Sequence, residues 1–201
     1  LGDIDPMNAT PFGCAALSAL AAVKRVLPHL RDGGWLAVIG AGGLGTYAVH
    51  FATTLSSART LVVDPRASAL SRARAAGADA TIPAGSGALG SIMSETDGRG
   101  CEAVLDFVGS DDSLGLAAKA VTRRGIIGLL GLAGGHLRFG FESLAPEASI
   151  TTVVAGTLAD LHDVVRLEGS DGLDVPLVPF RLEDVNSALD QLRDGRIDGR
   201  A

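Results

Sequence analysis

The sequence has few cysteines and few aromatic residues. Only two of its 201 residues are cysteines, Cys14 and Cys101, and they lie far apart. Two distant thiols do not form the disulfide framework that staples a small secreted domain. Aromatic residues make up 4% of the chain, so the core must consist mainly of alanine, glycine and branched aliphatic side chains.

The sequence also lacks an excess of positive charge and long apolar runs. Its formal net charge is −6, which argues against nucleic acid or an anionic membrane as a main partner. No uninterrupted apolar stretch approaches the roughly 20 residues of a membrane span. Residues 1–5 have neither the basic region nor the apolar segment of a secretion signal. We therefore expect a cytoplasmic protein that binds neither membranes nor nucleic acid.

Glycine and small apolar residues are abundant. Glycine occurs 27 times, and 47% of the chain is hydrophobic against 20% charged. This balance is typical of a globular chain, and 201 residues suffice for one domain with a sizeable core. We find no linker that would mark a second complete domain.

One stretch has the pattern of a phosphate-binding turn. The apolar run Leu36–Ile39 is short enough for a buried strand, and Gly40, Gly42 and Gly45 follow it directly. Apolar residues at helical spacing come next, so strand, glycine turn and helix stand in the order that a dinucleotide fingerprint requires. The first glycine makes the bend, the second lets the backbone approach a pyrophosphate, and the third lets helix and strand pack closely. The N–H groups that begin the helix would face the phosphates.

An acidic residue follows the next predicted strand. Thr60–Val63 is apolar, and Asp64 comes directly after it, about 20 residues beyond Gly45. A carboxylate there accepts hydrogen bonds from the adenosine ribose and repels a 2′-phosphate, so the combined pattern predicts NAD. Two alternatives stay open: Asp64 as a simple helix cap, and Arg66 as a cation that accommodates the 2′-phosphate of NADP. We interpret Arg66 as a solvated residue in the first turn of the next helix.

Strands alternate with helices along the chain, which predicts an α/β fold. The pattern favours a doubly wound, six-stranded parallel Rossmann sheet with helices on both faces and strand order 3-2-1-4-5-6. A leading helix, about 9–29, starts with Thr10 as N-cap, and a last helix covers about 182–194. A loop is predicted over Gly169–Gly172. The predicted strands are Leu36–Ile39, Thr60–Val63, Asp79–Ile82, Glu102–Asp106, Gly125–Leu130 and Ile150–Ala155.

With these elements placed, nearly the whole chain resembles the C-terminal, cofactor-binding portion of a zinc-type alcohol dehydrogenase of the medium-chain dehydrogenase/reductase superfamily. The order and spacing of several short motifs carry the resemblance, although no single motif is decisive. These motifs are Val38–Gly45, Val63–Asp64, Ala75–Asp79, Asp106–Gly109, Gly131–Gly134 and Gly195–Arg200.

The resemblance implies a set of cofactor-binding residues beyond the glycine turn and Asp64. Ser18 would face the nicotinamide, Val108 and the turn after the fifth strand would border it, and Arg200 would approach the pyrophosphate. The complete set is Ser18, Gly40, Gly42, Gly43, Leu44, Gly45, Asp64, Arg66, Phe107, Val108, Gly131, Leu132, Ala133 and Arg200.

Cys14 aligns with one ligand of the family's catalytic zinc. A thiolate suits zinc, and a catalytic site needs three protein ligands plus an open position. A lone cysteine on an alanine-rich helix is otherwise a small buried hydrophobe, and this alternative stays open. Cys101 is interpreted as a core or strand-edge thiol. The four histidines are interpreted as structural, because none has a carboxylate or cysteine nearby in sequence at a metal-ligand spacing; they are His29, His50, His136 and His162.

The sequence departs from the family because it does not contain the catalytic domain. The family's catalytic domain, a GroES-like β-barrel, supplies the other zinc ligands and the proton relay, and no part of it is present in this chain. No histidine or other cysteine precedes Cys14, so a three-ligand zinc site cannot form within this chain. No residue of the chain is therefore assigned a catalytic role. The domain assignment is therefore one NAD-binding Rossmann domain over residues 1–201.

The preferred function is that of an NAD-dependent, zinc-dependent alcohol dehydrogenase, of which this chain is the cofactor-binding part. One alternative is a zinc-independent quinone or enoyl reductase fragment, which Cys14 and Asp64 disfavour. The other is a free-standing module that binds NAD or dimerises without catalysis. The resemblance also implies a small alcohol or carbonyl substrate and a homodimer that pairs through the sixth strand, Ile150–Ala155, an apolar edge that would otherwise invite aggregation.

Overall fold

A six-stranded, fully parallel sheet forms the centre of the molecule. The computed structural model describes residues 4–171, 175–197 and 199–201, with only the backbone at 169–171. Neighbouring strands follow the order β3-β2-β1-β4-β5-β6, so the predicted Rossmann topology is confirmed. The strands are β1 (Trp35–Ile39), β2 (Arg59–Asp64), β3 (Ala80–Pro83), β4 (Cys101–Asp106), β5 (Val121–Leu129) and β6 (Ser149–Thr152).

Helices cover both faces of the sheet. They are α1 (Pro6–Ala9), a π turn (Phe12–Ala16), α2 (Leu17–Val26), a 3-10 turn (Leu27–His29), α3 (Gly45–Leu55), α4 (Ala67–Ala75), α5 (Ala88–Glu95), α6 (Asp111–Ala120), α7 (Leu158–Asp171), a 3-10 turn (Leu182–Asp184) and α8 (Val185–Arg193). Side chains of β1 alternate between two cores: Leu36 and Val38 join the first, whereas Ala37 and Ile39 join the second. Because β1 is buried on both faces, its sequence is continuously apolar rather than alternating.

The leading helix begins earlier than the sequence predicts. Asp5 is the N-cap, since its carboxylate accepts a hydrogen bond of 2.8 Å from the Met7 N–H. Thr10 instead donates its hydroxyl proton to the Met7 carbonyl, so its assignment as the N-cap is wrong. Asp5 and Pro6 form the same cap-plus-proline pair as Thr10 and Pro11, and the earlier pair starts the helix.

The segment Pro6–His29 is long and apolar enough to cross a membrane by length and composition. It has 24 residues and a mean hydropathy of 1.2 in its most apolar window, but 56% of that window is buried inside the protein. Core helices pass the same test, so the result is weak evidence for a membrane span.

Three predicted boundaries in the second half of the chain are wrong. β5 begins at Val121, four residues before the predicted start at Gly125. β6 ends at Thr152 rather than Ala155, because Ala155 has a φ of 52° and leaves the extended conformation. The loop predicted over 169–172 is helical as far as Asp171, where α7 ends. Gly172 lies outside the described residues.

Candidate cofactor-binding site

The glycine turn after β1 is packed too tightly for any side chain at two positions. Gly40 has a φ of 90°, and a Cβ added there would lie 2.8 Å from the Val108 side chain. A Cβ on Gly45 would overlap the carbonyl oxygen of Gly40, so α3 begins in direct contact with the turn. The Gly40 N–H donates to the Val63 carbonyl across 2.8 Å and so joins the turn to β2. The turn therefore lies where β1, β2 and β4 end together.

The start of α3 is open to an anion. Leu44, the N-cap residue, makes no side-chain hydrogen bond to this helix. Among the described residues, and apart from those adjacent in sequence, a Cβ added to Gly42 would have one atom within 4 Å, an Arg66 guanidinium nitrogen at 3.9 Å. Uncapped N–H groups and the positive end of the helix dipole attract phosphate. The residues present thus leave the kind of space that a pyrophosphate needs.

Asp64 is a buried acid beside this turn. Its side chain is only 3% exposed, and one carboxylate oxygen accepts a hydrogen bond of 2.8 Å from the Ala41 N–H. The Arg66 guanidinium donates to both oxygens across 3.0 and 3.1 Å, and the Arg66 backbone N–H donates across 2.9 Å. Arg66 is the N-cap residue of α4, one position before its first turn, and its side chain is 45% exposed. It is therefore solvated, as interpreted, but it also pairs with Asp64, which was not expected.

The pKa of Asp64 reflects these contacts. Burial by itself raises the pKa, but the hydrogen bonds from Arg66 and Ala41 and the nearby positive charge outweigh it. The pKa therefore lies below its ordinary value, which means that the fold stabilises the negative charge of this side chain.

The end of β4 contains a second buried aspartate, Asp106, which is fully buried. One of its side-chain oxygens accepts hydrogen bonds from the Val108 and Gly109 N–H groups at 2.8 and 3.0 Å. The other accepts one of 2.9 Å from the Ser113 hydroxyl. These bonds fix the turn that places Val108 over Gly40.

The turn after β5 packs backbone to backbone on the turn after β4. A Cβ on Gly131 would overlap the backbone of Val108 and Gly109. The Ala133 N–H donates to the Val108 carbonyl across 3.1 Å. Leu132 points outward and is 96% exposed. Of the predicted nicotinamide-side residues, Val108, Gly131 and Ala133 thus pack together at the carboxyl edge of the sheet.

A cleft of about 740 Å³ opens beside these turns. Its lining includes Gly40, Val63, Pro65, Val108, Asp112 and Lys119. It lies at the point between β1 and β4 where the strand order reverses, the usual ligand site of an open α/β sheet.

Arg200 lies against the glycine turn although it comes from the far end of the chain. Its side chain occupies the space that a Cβ on Gly43 would take. Its backbone N–H donates to the Pro176 carbonyl and its carbonyl accepts from the Val178 N–H, which hold it there. Arg200 is also near enough to lower the pKa of Tyr47, although burial and Glu168 raise that pKa to about 12.

Cys14 and Ser18 have different surroundings. Cys14 is exposed at the centre of the π turn, which corrects the alternative that it is a buried hydrophobe. Single π turns within helices occur frequently at functional sites. Ser18, about one turn further on, is buried in α2. Among the described residues, no group of three histidine, cysteine or acidic side chains could hold a metal, so Cys14 supplies at most one ligand here.

Sequence reasoning missed three contacts. The Arg66–Asp64 pair and the Ser113–Asp106 bond both join residues close in sequence, but the spacing does not reveal which way the side chains point. The His50 Nε2 atom lies 3.3 Å from a carboxylate oxygen of the buried Glu168, a contact between α3 and α7 that no local pattern could show.

The strand order and the glycine turn together define a Rossmann fold. A family model described as "zinc-binding dehydrogenase" matches residues 43–168, which is more than half of the chain. The chain belongs to the zinc-binding dehydrogenase family.

Named relatives match nearly all of this chain but only part of their own length. An NAD-dependent alcohol dehydrogenase of Saccharolobus solfataricus is 31% identical over 98% of this chain and 57% of its own length. A D-arabinose 1-dehydrogenase (NADP(+)) of the same organism is 29% identical over 100% of this chain and 58% of its own. The alcohol dehydrogenase of Aeropyrum pernix superposes with a TM-score of 0.90 at 29% identity, over 98% of this chain and 58% of its own.

Proposed function

We propose that this chain is the NAD-binding part of a zinc-type alcohol dehydrogenase, which interconverts a small alcohol with its aldehyde or ketone. The observation that carries the proposal is the hydrogen bond of 2.8 Å from the Ala41 N–H to Asp64. It joins the buried acid at the end of β2 to the glycine turn at the end of β1. An acid for the ribose hydroxyls and a turn for the pyrophosphate therefore lie side by side, as dinucleotide binding requires.

The chain's own residues would bind and orient the cofactor. The turn Gly40–Gly45, including Gly43 and Leu44, would hold the pyrophosphate at the start of α3, with Arg200 as a neighbouring cation. Asp64 would hold the adenosine ribose. Phe107, Val108 and the turn 131–133 would border the nicotinamide, and Ser18 would face it. NAD, when bound, supplies the acceptor for the hydride that leaves the alcohol.

Cys14 would supply one ligand of a catalytic zinc, whose role is to polarise the substrate oxygen. Its exposure and its place in a π turn support this role. The described residues offer no complete ligand set, so the other ligands and the proton relay would have to be provided by a further domain. We therefore propose that the chain alone binds the cofactor but does not oxidise alcohols.

Calorimetric titration with NAD tests the proposal. We expect the wild-type chain to bind NAD and Asp64→Asn to bind it at least about tenfold more weakly, because hydrogen bonds to a charged acceptor are lost. Asp79→Asn is the matched control, since Asp79 accepts a hydrogen bond from the Thr60 N–H at the opposite end of β2 and its replacement should leave NAD affinity unchanged. Absence of NAD binding, or equal affinity in Asp64→Asn, would contradict the proposal.

A binding module without catalysis is the second candidate. The lack of a metal-ligand cluster among the described residues favours it. The mass of the protein in its native cells separates the two candidates. A mass near the 20.4 kDa of this chain favours the module, and a much larger mass favours the enzyme. The reductase alternative is disfavoured by Cys14 at the zinc-ligand position and by Asp64, because zinc-independent reductases usually lack both residues.

We also propose a homodimer that pairs through the 150–155 edge of the sheet. Ile150 and Val154 are 37% and 89% exposed there, and an uncovered apolar edge strand tends to associate. We expect light scattering to show a dimer for the wild type and a monomer for Ile150→Lys. A dimer that persists in this variant would contradict the pairing.

A cytoplasmic location completes the proposal. Both Cys14 and Cys101 are free thiols, and unpaired cysteines are typical of a reducing compartment. Fractionation of the native cells, followed by detection of the protein, tests this location, and recovery outside the cytoplasm would contradict it.

A further inference from the structure

The Arg66 guanidinium covers the carboxylate of Asp64, the residue that is proposed to bind the ribose. A carboxylate offers about four lone-pair sites. The N–H of Ala41, the backbone N–H of Arg66 and two guanidinium nitrogens of Arg66 donate to the two oxygens of Asp64, so these sites are already taken. A ribose diol reaches Asp64 only if the guanidinium moves away.

The Arg66 guanidinium lies on the solvent side of Asp64. The Arg66 side chain is 45% exposed, in contrast to 3% for Asp64. One of its nitrogens lies 3.9 Å from the position of a Cβ on Gly42, so the cation already reaches toward the phosphate turn. A planar guanidinium binds carboxylate and phosphate with the same two-pronged geometry.

We propose that Arg66 exchanges between Asp64 and the 2′-phosphate of the cofactor, so that this site takes NADP as well as NAD. The inference rests on the proposed function. With NAD, the ribose hydroxyls replace the guanidinium on Asp64, and Arg66 turns toward solvent. With NADP, Arg66 pairs with the 2′-phosphate and offsets the repulsion from Asp64.

The exchange predicts weak discrimination between the two cofactors. NAD must displace two charge-assisted hydrogen bonds before it can use Asp64, which weakens NAD binding. NADP gains a cation beside its additional phosphate, which strengthens NADP binding. We therefore expect the two dissociation constants to lie within about tenfold of each other, whereas an uncovered acid without a cation would exclude NADP.

Titration of the 201-residue chain with four ligands tests the exchange. The ligands are NAD, NADP, 5′-AMP and adenosine 2′,5′-bisphosphate, and the last two isolate the contribution of the 2′-phosphate. Arg66→Met removes the cation and keeps the length of the side chain, whereas Asp64→Asn removes the acid and frees Arg66. Arg74→Met is the control, because Arg74 lies on the same helix and its side chain bonds to Thr81 instead.

The two site variants should shift the preference in opposite directions. We expect Arg66→Met to weaken NADP and the bisphosphate at least about tenfold and to strengthen NAD and 5′-AMP severalfold. Asp64→Asn should weaken NAD and favour NADP, and Arg74→Met should behave as the wild type. Thermal unfolding of each variant shows whether it is folded, and Arg66→Lys, which keeps the charge, should retain part of the NADP affinity.

Different titration results would contradict this inference and the proposed function. If the wild type binds NAD but excludes NADP by about a hundredfold or more, or if Arg66→Met leaves NADP affinity unchanged, the exchange is wrong and the NAD site stands. If the wild type binds none of the four ligands, both the proposed function and the exchange are wrong.

Discussion

Two buried aspartates occupy equivalent places in the fold but are held in different ways. Asp64 ends β2 and Asp106 ends β4, and their side chains are 3% and 0% exposed. Two of the four hydrogen bonds to Asp64 come from the Arg66 guanidinium, whose side chain is half in solvent, and the other two come from the backbone N–H groups of Ala41 and Arg66. Asp106 is bonded by the backbone of its own turn and by the buried Ser113.

The difference separates a candidate ligand-binding acid from a structural one. A donor on a flexible, exposed side chain can be exchanged for a ligand hydroxyl at small cost. Backbone donors in a buried turn cannot reach another acceptor. Loss of their acceptor therefore costs the full penalty of unsatisfied buried groups. Burial and position at a strand end therefore do not identify a binding acid, but the nature of its donors does.

Truncation of the two acids gives the largest expected contrast. Asp106→Ala leaves the N–H groups of Val108 and Gly109 and the Ser113 hydroxyl without their acceptor, so we expect a loss of about 3–5 kcal/mol in the free energy of unfolding. Asp64→Ala should cost less, about 2–3 kcal/mol, because the freed guanidinium returns to water and only the Ala41 and Arg66 N–H groups lose their acceptor. Urea denaturation measures both values. Equal losses in the free energy of unfolding would contradict the proposed difference between Asp64 and Asp106.

Removal of one donor to Asp106 gives a smaller effect. Ser113 bonds to Asp106 and also forms a reciprocal cap with Ser110 at the start of α6. We expect Ser113→Ala to lower the free energy of unfolding by about 1–2 kcal/mol. Ser91→Ala is the control in urea denaturation, because Ser91 is exposed on α5 and its hydroxyl should contribute little. A loss below about 0.5 kcal/mol in Ser113→Ala would show that the backbone donors alone hold Asp106.

The local parts of the fold could be predicted from the sequence, because short patterns determine them. The spacing of Gly40, Gly42 and Gly45 after an apolar strand specifies the turn, since two of these positions exclude any side chain. The alternation of strands and helices then leaves few topologies, and the observed order follows from the usual right-handed crossovers.

Features that depend on competition between equal local signals could not be predicted. Asp5-Pro6 and Thr10-Pro11 both suit a helix start, and only the structure shows that the first is used. No sequence signal marks the positive φ of Ala155, so the sequence predicts a sixth strand that extends too far toward the C-terminus. The direction of the Arg66 side chain follows from the burial of Asp64, which spacing does not encode.

The acid dependence of stability tests whether the Asp64–Arg66 contact is electrostatic. The fold lowers the pKa of Asp64 below its ordinary value of 3.8, although burial alone would raise it. A group with a lowered pKa in the folded state stabilises the fold above its unfolded pKa and loses this contribution as the pH falls through its folded pKa. We therefore expect the difference in free energy of unfolding between wild type and Asp64→Asn to be constant above about pH 5 and to shrink below about pH 4.

The matched difference isolates Asp64 from other groups that titrate in acid. Asp160 has its pKa lowered to about 2, first by the hydrogen bond from Lys24, so it also contributes to the acid dependence of the wild type. Because Asp160 is present in both proteins, its contribution cancels when their urea midpoints are compared at each pH. A difference that stays constant from pH 6 down to about pH 3 would mean that Arg66 holds Asp64 without favouring its charge. This result would contradict the interpretation that a charge-based, exchangeable contact distinguishes Asp64 from Asp106.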